Sequence, residues 1–200
     1  MKRLLLLSAL VAAVPAFAAG DRAAAIVARV AEEFRAMGNY VVTFAVETGG
    51  QTVEGRYAVD GDRYYLAVGD AEVFADGATR REVDNRRREV TILPTDTTSR
   101  NILDNPVRVF ESLGTAYRAE LLREGDERAA VRLVPTGAGG EAFGAVTVEV
   151  SLRTGRPLQL VYDYDGERVA ILFRAIAAGD GALPRFDAKR YEGYEFIDFR

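Results

Sequence analysis

Residues 40–93 read YVVTFAVETGGQTVEGRYAVDGDRYYLAVGDAEVFADGATRREVDNRRREVTIL, and their patterning decides the fold. Tyr40, Val42, Phe44 and Val46 take alternate positions, with Val41, Thr43, Ala45 and Glu47 between them. That period of two is the mark of a strand with one buried face. Further strands are predicted near 52–59, 62–68, 71–75, 78–83 and 88–93, and no proline falls between Pro15 and Pro94 to interrupt them. The runs are separated by Gly49-Gly50, Asp60-Gly61, Gly69-Asp70, Asp76-Gly77 and Asp84-Asn85. Such pairs tolerate the positive φ of tight turns, so the segment predicts consecutive antiparallel hairpins.

The same grammar returns downstream. Strands are predicted near 116–123, 128–134, 145–152, 157–164 and 167–174, punctuated by Gly125-Asp126, Thr154-Gly155 and Asp165-Gly166. Val146, Val148, Val150 and Leu152 form one one-sided row, and Leu158, Leu160, Tyr162 and Tyr164 form another. Between the two sets, residues 94–105 are polar and turn-rich. Asp104 can cap a short helix opening at Asn105-Pro106, with Val107, Phe110 and Leu113 as its apolar stripe. Upstream, Asp21 can cap a helix to about Ala36, in which Ile26, Val27, Val30 and Phe34 recur at helical spacing before Gly38-Asn39 stops it. Residues 186–200 look extended, with helix and strand both open. The expected fold is mainly β, of the α+β kind: about eleven strands in one curved antiparallel sheet, with amphipathic helices across its concave face.

The start of the chain reads as an address. Lys2 and Arg3 form a basic n-region, Leu4 to Val14 an apolar stretch, and Ala16-Phe17-Ala18 a small-residue cleavage pattern. The apolar run falls short of the roughly 20 residues needed to span a bilayer. Residues 1–18 are therefore expected to be a signal peptide and residues 19–200 one mature domain, localised to the periplasm. With no cysteine in the chain, neither a lipid-anchored cysteine at the processing site nor a disulfide framework is available. Without Lys2 and Arg3 the chain carries 24 basic against 30 acidic residues, a net charge of −6. That balance argues against general nucleic-acid binding.

Histidine is absent as well. Ser-His-Asp and Cys-His nucleophilic sites are excluded, as are the usual nitrogen and sulfur ligands of zinc. Walker and GxGxxG elements are missing. Paired acids such as Asp60 with Asp62, or Asp163 with Asp165, could serve a carboxylate-dependent hydrolase. They flank hairpin turns, where aspartate bonds local backbone amides. Asp163-Tyr164-Asp165-Gly166 lacks the further ligands of a calcium loop. No enzyme activity, cofactor or metal is expected. Arg80, Arg81, Arg86, Arg87 and Arg88 concentrate positive charge on one hairpin. They read either as a docking surface for an acidic partner or anionic headgroups, or as an exposed hairpin protected against edge pairing.

Several short stretches, taken in order, resemble the LolA-type periplasmic lipoprotein carriers. They are Gly55-Arg56-Tyr57, then Asp62-Arg63-Tyr64-Tyr65-Leu66, then Ala75-Asp76-Gly77-Ala78-Thr79. Asn105-Pro106 and the tail from Phe186-Asp187 through Tyr191-Glu192-Gly193-Tyr194-Glu195-Phe196-Ile197-Asp198 complete the set. The resemblance implies an unclosed β-barrel with a helical lid over an apolar cavity. It also implies a carrier that takes acylated lipoproteins from an inner-membrane transporter to an outer-membrane acceptor, and a monomer is the simplest expectation. On that reading Val42, Phe44, Val46, Tyr57, Val59, Tyr64 and Leu66 line the cavity. Val30, Phe34, Val107 and Phe110 face it from the lid, and Arg63 contacts the lid or a headgroup. Many members carry an arginine followed by proline after the second strand. This chain has Asp60-Gly61-Asp62 there, which implies a different control of the lid or another apolar cargo. A lipid sensor of the same fold, a carrier of free lipids and a purely structural envelope protein are the competing readings.

Overall fold

In the computed structural model, residues 16–95, 117–136, 144–164, 166–180 and 182–200 are described. Among these residues one α-helix, α1 (Ala16–Met37), precedes twelve strands. The first six are β1 (Tyr40–Thr48), β2 (Gln51–Asp60), β3 (Arg63–Val68), β4 (Ala71–Ala75), β5 (Thr79–Asp84) and β6 (Glu89–Pro94). Then come β7 (Tyr117–Glu124), β8 (Arg128–Pro135), β9 (Val146–Ser151), β10 (Pro157–Tyr164), β11 (Glu167–Ala178) and β12 (Glu195–Asp198). All twelve make one sheet in the order β12-β6-β5-β4-β3-β2-β1-β11-β10-β9-β8-β7. Its two ends do not pair, so the barrel is unclosed.

The turn dipeptides fall where adjacent antiparallel strands reverse. Gly49, Gly50, Gly61, Gly69, Gly77, Gly155 and Gly166 all carry positive φ. The β5–β6 turn lacks glycine and places the positive φ on Arg88 instead. Asp84 supports that turn by accepting bonds from the Arg86 and Arg87 amides.

α1 runs through Asp21, so that residue lies inside the helix rather than capping its start. It lies across the concave face and buries Ala23, Ile26, Val27, Val30, Ala31 and Phe34, one stripe at helical spacing. Among the described residues no helix is long and apolar enough to cross a membrane. The helix expected to open at Asn105-Pro106 lies outside the described residues.

The sheet also packs on its convex side. Phe74, Val83, Val90 and Tyr191 form a second buried cluster, flanked by Tyr65, Ile92, Phe186 and Tyr194. The tail supplies three of these rings. It forms a 3-10 turn, Ala188–Tyr191, capped by the Asp187 side chain, and then β12, which pairs in parallel with β6. The tail thus resolves into both a helical turn and a twelfth strand. It also explains the arginine hairpin: β6 is no free edge, because β12 covers it. Arg80 pairs with Glu82, Arg81 with Asp76 and Arg87 with Asp84, while Arg88 lies over the Tyr194 ring at 5.5 Å.

Sheet register fixes one close approach. Gly55 lies opposite Phe44, and a Cβ there would sit 2.5 Å from the Phe44 ring tip. Gly55→Ala is expected to destabilise the protein by about 1–3 kcal/mol, the usual range for overpacking. Its urea midpoint relative to wild type measures this, and an unchanged midpoint would mean that the ring yields freely.

Candidate functional site

The seven residues expected to line a cavity come together on the concave face. Pairing places Val42 opposite Tyr57, Tyr57 opposite Leu66, and Leu66 opposite Val73. A second row runs from Tyr40 through Val59 and Tyr64 to Ala75. Phe44 faces Phe173 on its other side. Six of the seven are buried, and Val46 is partly buried at the edge of the same cluster. Val131, Leu133, Val148, Val150, Leu160 and Ile171 extend this wall across β8 to β11.

Val30 and Phe34 meet the wall from α1, both buried. The Phe34 ring contacts Tyr40 edge-on at 5.0 Å, Tyr40 contacts Tyr57 at 6.1 Å, and Phe44 contacts Tyr57 at 5.8 Å. The chain of rings runs from the helix down to the sheet. Val107 and Phe110 lie outside the described residues. Arg63 pairs with Asp60 across the β2–β3 turn and projects to the convex side, beside Phe74 and Phe186. Leu158 leaves its expected row because the β9–β10 register shifts between Pro157 and Gln159.

Tyr57 places a hydroxyl within the wall. It is 1% exposed, and its buried hydroxyl has no hydrogen-bond partner among the described residues. Burial pushes its pKa well above the ordinary tyrosine value, with Tyr40 adding to the shift. The group is therefore a neutral donor in apolar surroundings.

α1 is held at its periphery. Arg22 Nε donates to Glu124 of β7 at 2.9 Å, and that bond keeps the Glu124 carboxyl below its ordinary pKa. Arg29 donates to the Leu152 and Arg153 carbonyls at 2.7 and 3.1 Å. Gly155, at φ 71°, passes beneath the Arg29 side chain, where a Cβ would come within 2.9 Å of Nε. Glycine is required there twice over, by conformation and by contact. At the other end only Gly38 and Asn39 separate α1 from β1.

Of the acids weighed for catalysis, Asp165 lies outside the described residues. Asp60 is bound to Arg63, and no cluster of acids able to hold a metal occurs among the described residues. The aromatics of the first half of the sheet divide between its faces, with Tyr64 concave and Tyr65 convex, as adjacent strand positions must.

No family model matches the sequence, and no curated protein does either. Solved structures do resemble it. An uncharacterized conserved protein from Thermus thermophilus matches with a TM-score of 0.52 at 12% identity, over 88% of this chain and 99% of that one. A LolA superfamily protein from Nitrosomonas europaea matches at 0.41 and 12% identity, over 84% and 96% of the two chains. A chain of the MucA/MucB complex from Pseudomonas aeruginosa matches at 0.40 and 19%, over 86% and 61%. At such identities the likeness is one of fold.

Proposed function

We propose that this protein is a LolA-like periplasmic carrier that shields the acyl chains of lipoproteins and delivers them to the outer membrane. The observation that carries the reading is the concave wall of aliphatic and aromatic side chains covered by one amphipathic helix. That helix is fastened to the rest of the sheet by exposed polar contacts from Arg22 and Arg29. Exposed ion pairs are worth about 0–1 kcal/mol, so the fastenings release readily. An acyl chain and the α1 stripe offer the wall the same non-directional contact, and one can replace the other at little net cost. In water each methylene costs about 0.8 kcal/mol, on the order of 30 kcal/mol for three long chains, so transit requires a cover. The Tyr57 hydroxyl is placed to donate to an ester carbonyl of the cargo. No covalent step is proposed, and the chain works as a monomer between an inner-membrane transporter and an outer-membrane acceptor.

Native mass spectrometry with a triacylated lipopeptide tests the proposal. One lipopeptide per protein is expected, passing to an acceptor protein on mixing. Val46→Asp, at a partly buried position, should fold and lose this complex. A bare protein mass in excess lipopeptide, or full binding by a folded Val46→Asp variant, would overturn the reading. N-terminal sequencing of the exported protein should begin at Ala19.

A further inference from the structure

The convex face holds a cavity of about 390 Å³, on the opposite side of the sheet from the apolar wall. Arg63, Arg81 and Arg185 line it with Asp76, and Phe74 and Phe186 form its apolar floor. The geometry points to a binding site for a small organic anion, a phosphate or carboxylate carried on an apolar body.

The charges decide the class of ligand. Arg63 is paired with Asp60, and Arg81 donates to Asp76 at 2.9 Å while lying 5.4 Å from the Phe186 ring centre. Arg185 has no ion-pair partner among the described residues. Among the described residues the cavity therefore carries one uncompensated positive charge, on a chain whose net charge is −4. Each guanidinium has five N–H donors in a planar fork, and one carboxylate engages only part of that set. The remaining donors of Arg63 and Arg81 can share an oxyanion that Arg185 attracts. Phe74 and Phe186 are held edge to face at 5.7 Å, so the floor is rigid before any ligand arrives. Its volume lies in the ordinary range for small-molecule sites, about 300–1,000 Å³. A purely inorganic anion would leave the aromatic floor unused, and a neutral apolar molecule would leave Arg185 unused.

Isothermal titration of the full chain with hexyl phosphate, hexanol and inorganic phosphate tests the site. Hexyl phosphate is expected to bind more tightly than either fragment. Arg185→Glu, at an exposed position without an ion pair, should keep the wild-type thermal midpoint. It should weaken hexyl phosphate about tenfold or more, the loss of one charge-assisted contact. Co-sedimentation with phosphatidylglycerol vesicles separates the sources of the anion. Vesicle binding that Arg185→Glu abolishes identifies a lipid headgroup, whereas binding of the soluble phosphate alone identifies a free organic anion, and either supports the site. No binding of hexyl phosphate, equal binding of inorganic phosphate, or binding unchanged in Arg185→Glu would overturn it. None of these results depends on lipoprotein carriage, because the variant leaves the concave wall intact.

Discussion

Replacing Phe44 with alanine is expected to destabilise the protein by about 3–5 kcal/mol, the range for deleting a fully buried phenylalanine. Phe44 is 2% exposed, leans on Tyr57 and fills the space that Gly55 leaves open opposite it. Removing the ring leaves a cavity that Gly55 cannot fill, since glycine has no side chain to move into it. Denaturant unfolding measures the loss, and a value under about 1 kcal/mol would show that α1 and the neighbouring strands collapse into the gap. Phe44→Glu is harsher, because it buries an unpaired charge. For that reason the partly buried Val46 is the better position for separating cargo binding from folding.

Glu72→Ala is expected to cost about 2–3 kcal/mol, by leaving several donors without their acceptor. Glu72 lies on β4 at 7% exposure, a buried acid on the convex side. Tyr65 donates to it at 2.7 Å, Tyr191 at 3.0 Å and Asn85 at 3.2 Å, with Arg190 3.4 Å away. Burial pushes the Glu72 carboxyl up, but the three donated bonds and Arg190 together outweigh it and hold the pKa below its ordinary value. The Arg190 side chain is exposed, so the ion pair adds little by itself. A double-mutant cycle with Tyr191→Phe isolates the bond that ties the tail to the sheet. Coupling near zero would mean that the rings alone dock the tail.

The pH dependence follows from the same group. Because the folded pKa of Glu72 is lowered, its stabilisation is fully present above the unfolded value, near 4.5, and is lost as pH falls through the folded value. Tyr65 behaves oppositely. Burial first, then its bond to Glu72, pushes its hydroxyl up to about 12, so its share is present below about 10 and lost as pH rises through about 12. Tail docking, followed by tyrosine fluorescence, should therefore weaken at both extremes, and Glu72→Gln should remove the acid limb. An acid limb that persists in Glu72→Gln would assign it to other carboxylates.

Local pattern carried most of the sheet. Alternation in 40–47 set the concave face of β1, and the turn pairs set the hairpins, because a reversal needs backbone angles that few residues supply. The stripe Ile26, Val27, Val30 and Phe34 announced a helix with one buried face. Strand parity could also have separated Tyr64 from Tyr65 and warned of a second cluster. The arginine hairpin kept two readings open, since its ion partners are near in sequence but β12 and Tyr194 are not.

Turn chemistry and side-chain period act over a few residues, so the chain alone established a curved run of hairpins, an amphipathic helix and an apolar inner face. Tertiary structure alone decided that the tail crosses the convex side to pair in parallel with β6, and that Glu72 is buried there. Parallel pairing leaves no turn signature, and a buried acid is tolerated only where donors as distant in sequence as Tyr191 converge on it. The convex cavity has the same origin, since the docked tail brings Arg185 and Phe186 against Arg63, Phe74 and Arg81 of the sheet.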